Sequence, residues 1–173
     1  MDLSPDDSVV IQTAVMIVDD DPVVRKVVGD LLAMHDDLRV VGVFANGPDA
    51  LAAAAAQPPD VMVVDISMPG MSGAEVTRRA LEDNPSIHVL AYTALADNRS
   101  LAGMLNAGAA GVVYKDASIA AVADAIRATR SGLSVLSRPF NSREAQPELD
   151  ASLSDMELAI LHLVSEGLTN DQI

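Results

Sequence analysis

The stretch AVMIVDDDPVV, residues 14–24, drives an apolar run straight into three consecutive aspartates, Asp19, Asp20 and Asp21, and then a proline. Carboxylates this close repel, and each raises its neighbours' pKa. A solvated loop tolerates that arrangement; a cation site requires it. Other groups with chemistry also follow short apolar runs. Asp65 ends VMVVD, Thr93 ends IHVLAYT with Ala94 beside it, and Lys115 follows GVVY. Aspartate oxygens suit Mg²⁺ (or Mn²⁺), which takes one or two carboxylates and keeps several waters. Lys115 and Thr93 offer a cation and a hydrogen-bond donor to an incoming anion. A carboxylate nucleophile, a divalent cation and a lysine together suit phosphoryl transfer to aspartate. Asp65 is the best nucleophile candidate, because it stands alone at the end of its run. Taken singly, each residue has a plain structural explanation: an aspartate after a strand caps a turn or helix, Thr93 caps a helix, Lys115 is solvated. Asp21, just before Pro22, reads as a cap. Four suitable groups at four strand ends read jointly as a site.

For these residues to meet, the elements between them must form a layered sheet. AVMIVD and VMVVD are short, β-branched and apolar throughout, as strands buried on both faces are. Residues 22–35 have proline at a first helical position and apolar residues at helical spacing. LRVVGVFAN reads as a strand, GPDALAAAAAQ as a helix, AEVTRRALEDN as a helix stopped before Pro85, and DNRSLAGMLNAGA and ASIAAVADAIRATRSG as two more helices. Five rounds of strand then helix, over residues 14–132, predict an α/β fold: a doubly wound, five-stranded parallel sheet with helices on both faces. Ligands of such sheets bind beyond the carboxyl ends of the strands, where the acidic groups, Thr93 and Lys115 fall.

Composition agrees. The 173 residues are half hydrophobic but only 2% aromatic, so alanine, valine and leucine must fill the core. Cysteine is absent, which excludes disulfides and thiolate metal sites and fits a reducing cytoplasm. The start, MDLSPDDSVVIQT, lacks the basic and apolar regions of a signal peptide. No run of about 18 apolar residues exists to span a membrane. A net charge of −14 opposes contact with nucleic acid unless another part offsets it. His35, His88 and His162 lie far apart in sequence and support neither a triad nor a zinc site.

VMIVDDDPVVR, VMVVDISMPGMSG, LAYTA and GVVYKDAS resemble the receiver domain of bacterial two-component response regulators, over residues 14–132. The acidic pair, the D-x-x-M-P-x-M-x-G segment, the threonine and the lysine occur in order at that family's spacing. The resemblance implies a flavodoxin-like fold with strand order 2-1-3-4-5. It implies that Asp65 accepts a phosphoryl group from a histidine kinase, so that the chain is a signalling switch and not an enzyme with turnover. Asp19 and Asp20 would form the Mg²⁺ pocket with Asp65, Asp20 as the more direct ligand, and the backbone carbonyl of Ser67 would complete the coordination. Thr93, Ala94 and Lys115 would bind the phosphoryl group, and Pro69 and Gly73 would shape the loop over Asp65. Two positions depart from the family pattern: Val112 stands where an aromatic switch residue is common, with Tyr114 next to the lysine, and Asp116 replaces a common proline. The Lys115–Asp116 pair is similar to the LuxR-type (NarL/FixJ) subfamily.

The remaining residues divide into an acidic tail (1–13), a linker with two prolines (133–151) and LSDMELAILHLVSEGLTNDQI (152–173 with its lead-in). Ser154 with Glu157, and Thr169 with Gln172, make capping-box patterns around an apolar stripe that includes Leu158, Leu161 and Val164. This resembles the opening of a LuxR-type helix-turn-helix without its recognition helix. It carries Asp155, Glu157, Glu166 and Asp171 and no Lys or Arg. The expectation is an incomplete output domain: DNA is a partner of the intact regulator, not of this chain. Leu101, Met104 and Leu105, with Val112 and Tyr114, are expected to form a switch surface that controls a homodimer. Two rivals stand beside this reading. One is a haloacid-dehalogenase-like phosphohydrolase with Asp19 as nucleophile, which lacks its later acidic pair because LAYTALAD offers only Asp97. The other is a degenerate receiver that acts as an interaction module.

Overall fold

The computed structural model of the protein describes residues 12–94 and 97–136. Strands and helices alternate: β1 (Thr13–Val18), α1 (Pro22–Leu32), β2 (Leu38–Phe44), α2 (Gly47–Ala56), β3 (Val61–Asp65), α3 (Gly73–Asp83), β4 (His88–Thr93), α4 (Asn98–Asn106), β5 (Gly111–Tyr114), α5 (Ile119–Arg130) and β6 (Val135–Leu136). The sheet runs β2-β1-β3-β4-β5-β6, and every pair is parallel. The expected order of five strands is observed, with a two-residue edge strand added beside β5. Val135 and Leu136 lie in what the sequence reads as linker; a two-residue VL offers no periodicity to detect. The tail up to residue 11, the rest of the linker and the whole of the 152–173 segment lie outside the described residues.

Alternation along the strands sends side chains to two layers. Met16, Val18, Met62, Val64, Ala91 and Val112 pack with α2, α3 and α4. Val15, Ile17, Val61, Val63, Leu90, Tyr92 and Val113 pack with α1 and α5. Both layers are built almost wholly from aliphatic side chains and methionine, as the shortage of aromatics requires.

Each helix opens on a side-chain cap. Asp21 accepts from the Val23 and Val24 amides, Asn46 from Asp49, Ser72 from Glu75, Asp97 from Ser100 and Ser118 from Ala121. Each such cap is worth about 1 kcal/mol. Because every βα unit runs the same way, the N-termini of the five helices among the described residues face the rim where the strands end. Asp21 is thus the cap that its place before Pro22 suggests, and α4 is capped by Asp97, not Thr93.

The expected switch surface requires correction. Leu101 and Met104 are 3% and 0% exposed, Val112 and Tyr114 1% and 5%. The 101/104 stripe of α4 faces the sheet, with Met104 Sδ 3.8 Å from the Thr77 hydroxyl on α3. Leu105 is partly buried; α4 shows solvent Asn98, Arg99, Ala102 and Asn106 instead. Helical spacing turns Leu101 and Met104 onto the sheet, and strand alternation puts Val112 and Tyr114 of β5 in the same core layer beneath α4.

Leu90, on β4, is completely buried against α1 and α5. Leu90→Ala is expected to cost about 2–5 kcal/mol, read as a lower urea midpoint with little change in slope.

Candidate phosphoryl and metal site

Asp19 follows β1 directly. Its amide donates to the Phe44 carbonyl of β2 (3.1 Å), which carries the strand pairing one residue past the sheet. Its carboxylate turns inward and is 1% exposed. Oδ1 accepts from the Asp21 amide (2.9 Å), and Oδ2 lies 2.7 Å from Lys115 Nζ. Asp65 closes β3 and is 6% exposed; its Oδ2 lies 3.2 Å from the same ammonium. Asp20 is exposed at the mouth. One carboxylate oxygen from each of Asp19, Asp20 and Asp65 lies within 4.8 Å of the others. The ends of four parallel strands, β1, β3, β4 and β5, bring together groups that are up to 96 positions apart in the chain, from residue 19 to residue 115.

The lysine sits between these carboxylates because β5 ends at Tyr114 and the chain turns at once, with the Lys115 amide bonded to the Thr93 carbonyl (2.7 Å). Its Nζ also lies 5.8 Å from the centre of the Tyr92 ring, within cation–π range. Thr93, last residue of β4, is 2% exposed at the same rim, and Ala94 is exposed beside it. Ser67 is exposed two residues past Asp65. The loop over Asp65 folds back tightly: the Gly73 amide donates to Ile66 O (3.0 Å), and a β-carbon at Gly73 would stand 2.2 Å from the Asp65 carbonyl oxygen. Only glycine lets α3 begin that close to the strand end.

Electrostatics follow from this burial. Desolvation pushes the Asp65 carboxyl above the ordinary carboxylate range, and the neighbouring Asp19 charge pushes the same way. The Lys115 charge and hydrogen bonds from Lys115 and the Ser67 backbone oppose them without cancelling them. For Lys115, burial alone would lower the pKa, but the contacts with Asp19 and Asp65 outweigh it and the ammonium is held above its usual value. Three carboxylate oxygens within one small sphere, one from each of Asp19, Asp20 and Asp65, fit a hard cation that takes oxygen ligands.

Two neighbours of the site were not legible in the sequence. Arg25, from the first turn of α1, donates to the Asp19 carbonyl. Tyr92 lies under the lysine. Arg25 sits six positions after Asp19, which only a helix starting at Pro22 brings back. Tyr92 alternates with Thr93 and belongs to the opposite core layer, where an apolar reading suffices. Asp97, the acidic residue that a phosphohydrolase reading would need, spends its carboxylate on capping α4, accepting from the Ser100 amide (2.8 Å) and hydroxyl (3.2 Å).

Residues 15–127 match the family model described as the response regulator receiver domain. The response regulator VraR of Staphylococcus aureus is 34% identical over 164 residues, 92% of this chain and 78% of that protein. Among solved structures, the receiver domain of NarL from Mycobacterium tuberculosis superposes with a TM-score of 0.66 at 31% identity, covering 70% of this chain and 98% of that one. A LuxR-family response regulator from Aurantimonas sp. SI85-9A1 superposes with a TM-score of 0.68 at 28% identity, covering 72% of this chain and 89% of that one.

The raised Asp65 pKa has a signed consequence. Between the ordinary carboxylate value and the raised one, the native state holds a proton that the unfolded state has lost, so this group's contribution to stability falls as pH rises through that window. Asp65→Asn, neutral at every pH, is therefore expected to melt higher than the parent at pH 7. The gain should shrink as the buffer is taken down through the raised pKa and vanish below the ordinary carboxylate range, as followed by thermal melts across pH.

Proposed function

The chain belongs to the response regulator receiver family and is a two-component response regulator of the LuxR family, and from that premise we propose that Asp65 is its phosphoacceptor and Lys115 the cation that neutralises the transferred group. The observation that carries this reading is the convergence of the Asp19, Asp20 and Asp65 oxygens within 4.8 Å around an ammonium 2.7 Å from Asp19 and 3.2 Å from Asp65.

Asp19, Asp20 and Asp65, with the Ser67 carbonyl, would hold Mg²⁺ or Mn²⁺. When bound, that ion supplies charge neutralisation for the phosphoryl oxygens. In the transfer, a carboxylate oxygen of Asp65 forms a bond to phosphorus as the bond from phosphorus to the donor's imidazole nitrogen breaks, and the electron pair of that bond returns to the imidazole. Desolvation already disfavours the Asp65 charge, so the carboxylate enters the reaction less stabilised than one in water. Lys115 pairs with the new negative charge, Thr93 offers its hydroxyl to a phosphoryl oxygen, and Ala94 leaves the approach open. The donor is a histidine kinase. In its resting state Lys115 is committed to Asp19 and Asp65. A phosphoryl group on Asp65 redirects it and Thr93, and the β4–α4 and β5 segments follow. The buried stripe of Leu101, Met104, Val112 and Tyr114 transmits that shift to the surface of α4, which controls association of two copies.

Incubation with Mg²⁺ and acetyl phosphate is expected to load one acid-stable, base-labile phosphoryl group per chain, with Asp65→Asn acquiring none by intact mass. Equal loading of Asp65→Asn would remove Asp65 from the acceptor role. Multiple turnovers of an aryl phosphate in place of stoichiometric labelling would favour a phosphohydrolase.

A further inference from the structure

Of the three aspartates that open the site, two are committed at short range. Asp19 is tied through its amide to Phe44, through Oδ1 to the Asp21 amide and through Oδ2 to Lys115. Asp21 spends its carboxylate on the Val23 and Val24 amides as the cap of α1. Asp20 makes no side-chain hydrogen bond or ion pair among the described residues, is exposed, and still has an oxygen within 4.8 Å of the Asp19 and Asp65 oxygens. Its own partners do not hold it there. Its direction is set by the backbone from which it hangs.

The peptide unit before Asp20 is planar, and the Asp19 carbonyl lies in that plane. Fixing that carbonyl fixes where the Asp20 N and Cα sit, and so the point from which its side chain reaches toward the other two carboxylates. The Asp19 carbonyl is gripped by Arg25 Nη1 at 2.5 Å, a short charge-assisted bond from a part-buried guanidinium. Arg25 is itself anchored, since its amide bonds to the Asp21 carbonyl in the first turn of α1 (3.0 Å). The guanidinium therefore closes a small loop: Asp19 to Asp21 by the capped turn, Asp21 to Arg25 by the helix, and Arg25 back to Asp19 by the side chain.

We infer that Arg25 is a positioning residue for cation binding, which orients Asp20 by locking the peptide plane between Asp19 and Asp20. This rests on the reading of the acidic cluster as a divalent-cation site. The alternative, that Arg25 matters only as a nearby charge, predicts the opposite sign. A positive group beside a cation site repels the cation, so removing it would tighten binding. Loss of orientation weakens binding. Groups that orient a metal ligand without touching the metal typically contribute about 10–100-fold in affinity, whereas one charge near a solvent-open mouth is screened by water and salt to a smaller effect. The orientation effect dominates.

The test titrates Mn²⁺ into the full chain without any phosphodonor and follows free Mn²⁺ by electron paramagnetic resonance. The parent and the Arg25→Gln, Arg25→Lys and Asp20→Asn variants are compared. The expected outcome is roughly tenfold weaker binding for Arg25→Gln, with Arg25→Lys, which keeps the charge and a donor, recovering a large part of the loss. Thermal melts check that each variant is folded. Should Arg25→Gln not fold, Arg25→Lys and Arg25→Met carry the comparison. Binding by Arg25→Gln equal to or tighter than the parent overturns the inference, and so does a loss in Arg25→Lys as large as in Arg25→Gln. A parent that binds no Mn²⁺, or an Asp20→Asn variant that binds like the parent, instead overturns the reading of the acidic cluster on which the inference rests.

Discussion

A lysine ammonium held between two buried carboxylates organises this molecule. Asp19 and Asp65 sit at the ends of adjacent central strands, and without a cation their charges in so dry a place would oppose each other. Lys115 lies within 3.2 Å of both. The arrangement is a compromise, because taking three charged groups out of water costs more than their contacts return unless geometry is close. The direction of the Asp65 shift records that the compromise is incomplete: desolvation and Asp19 prevail over the lysine. A site with such a residual imbalance responds strongly to any added charge, which is what a switch needs.

The sheet makes this possible by delivering all its ends to one rim. Parallel βα units place every described strand's carboxyl end and every described helix's amino end on the same side, so the acidic cluster lies on the rim where α1 begins, its start capped by Asp21. The two aliphatic layers behind it are nearly free of polar groups. Gly73 shows how close the tolerance is: α3 begins against the Asp65 carbonyl with no room for a single methyl.

Much of this was legible from residue order. Buried strands announce themselves as unbroken β-branched runs, and Asp19, Asp65, Thr93 and Lys115 could be assigned to the rim because each ends or follows such a run. Asp21 could be assigned to a cap because proline follows it. What escaped did so for physical reasons. Arg25 reaches the loop through a helical turn and bonds a carbonyl, which carries no sequence signature. Tyr92 reads as core and is core, yet its ring lies beside the lysine. Leu101 and Met104 read as an uncharged surface, because helical spacing alone does not tell which side of a short amphipathic helix meets the sheet; the structure puts the apolar side down, over Val112 and Tyr114 of β5. A pair of residues, Val135 and Leu136, is too short to be distinguished from linker until Gly111 and Val112 are seen beside it.

The strand order has a consequence for synthesis. The central strand β1 is made first, yet its inner neighbour β3 comes only after a complete βα unit on the outer edge, and the lysine that neutralises Asp19 is added 96 residues later, at position 115. On the ribosome, a nascent chain released up to Asp65 already holds the whole acidic triad with no ammonium to balance it. Fragments that stop before β5 should therefore carry their cluster open to water, and the Asp19–Lys115 contact closes only once β5 has been added, ahead of α5, whose Arg127 then pairs with Asp37.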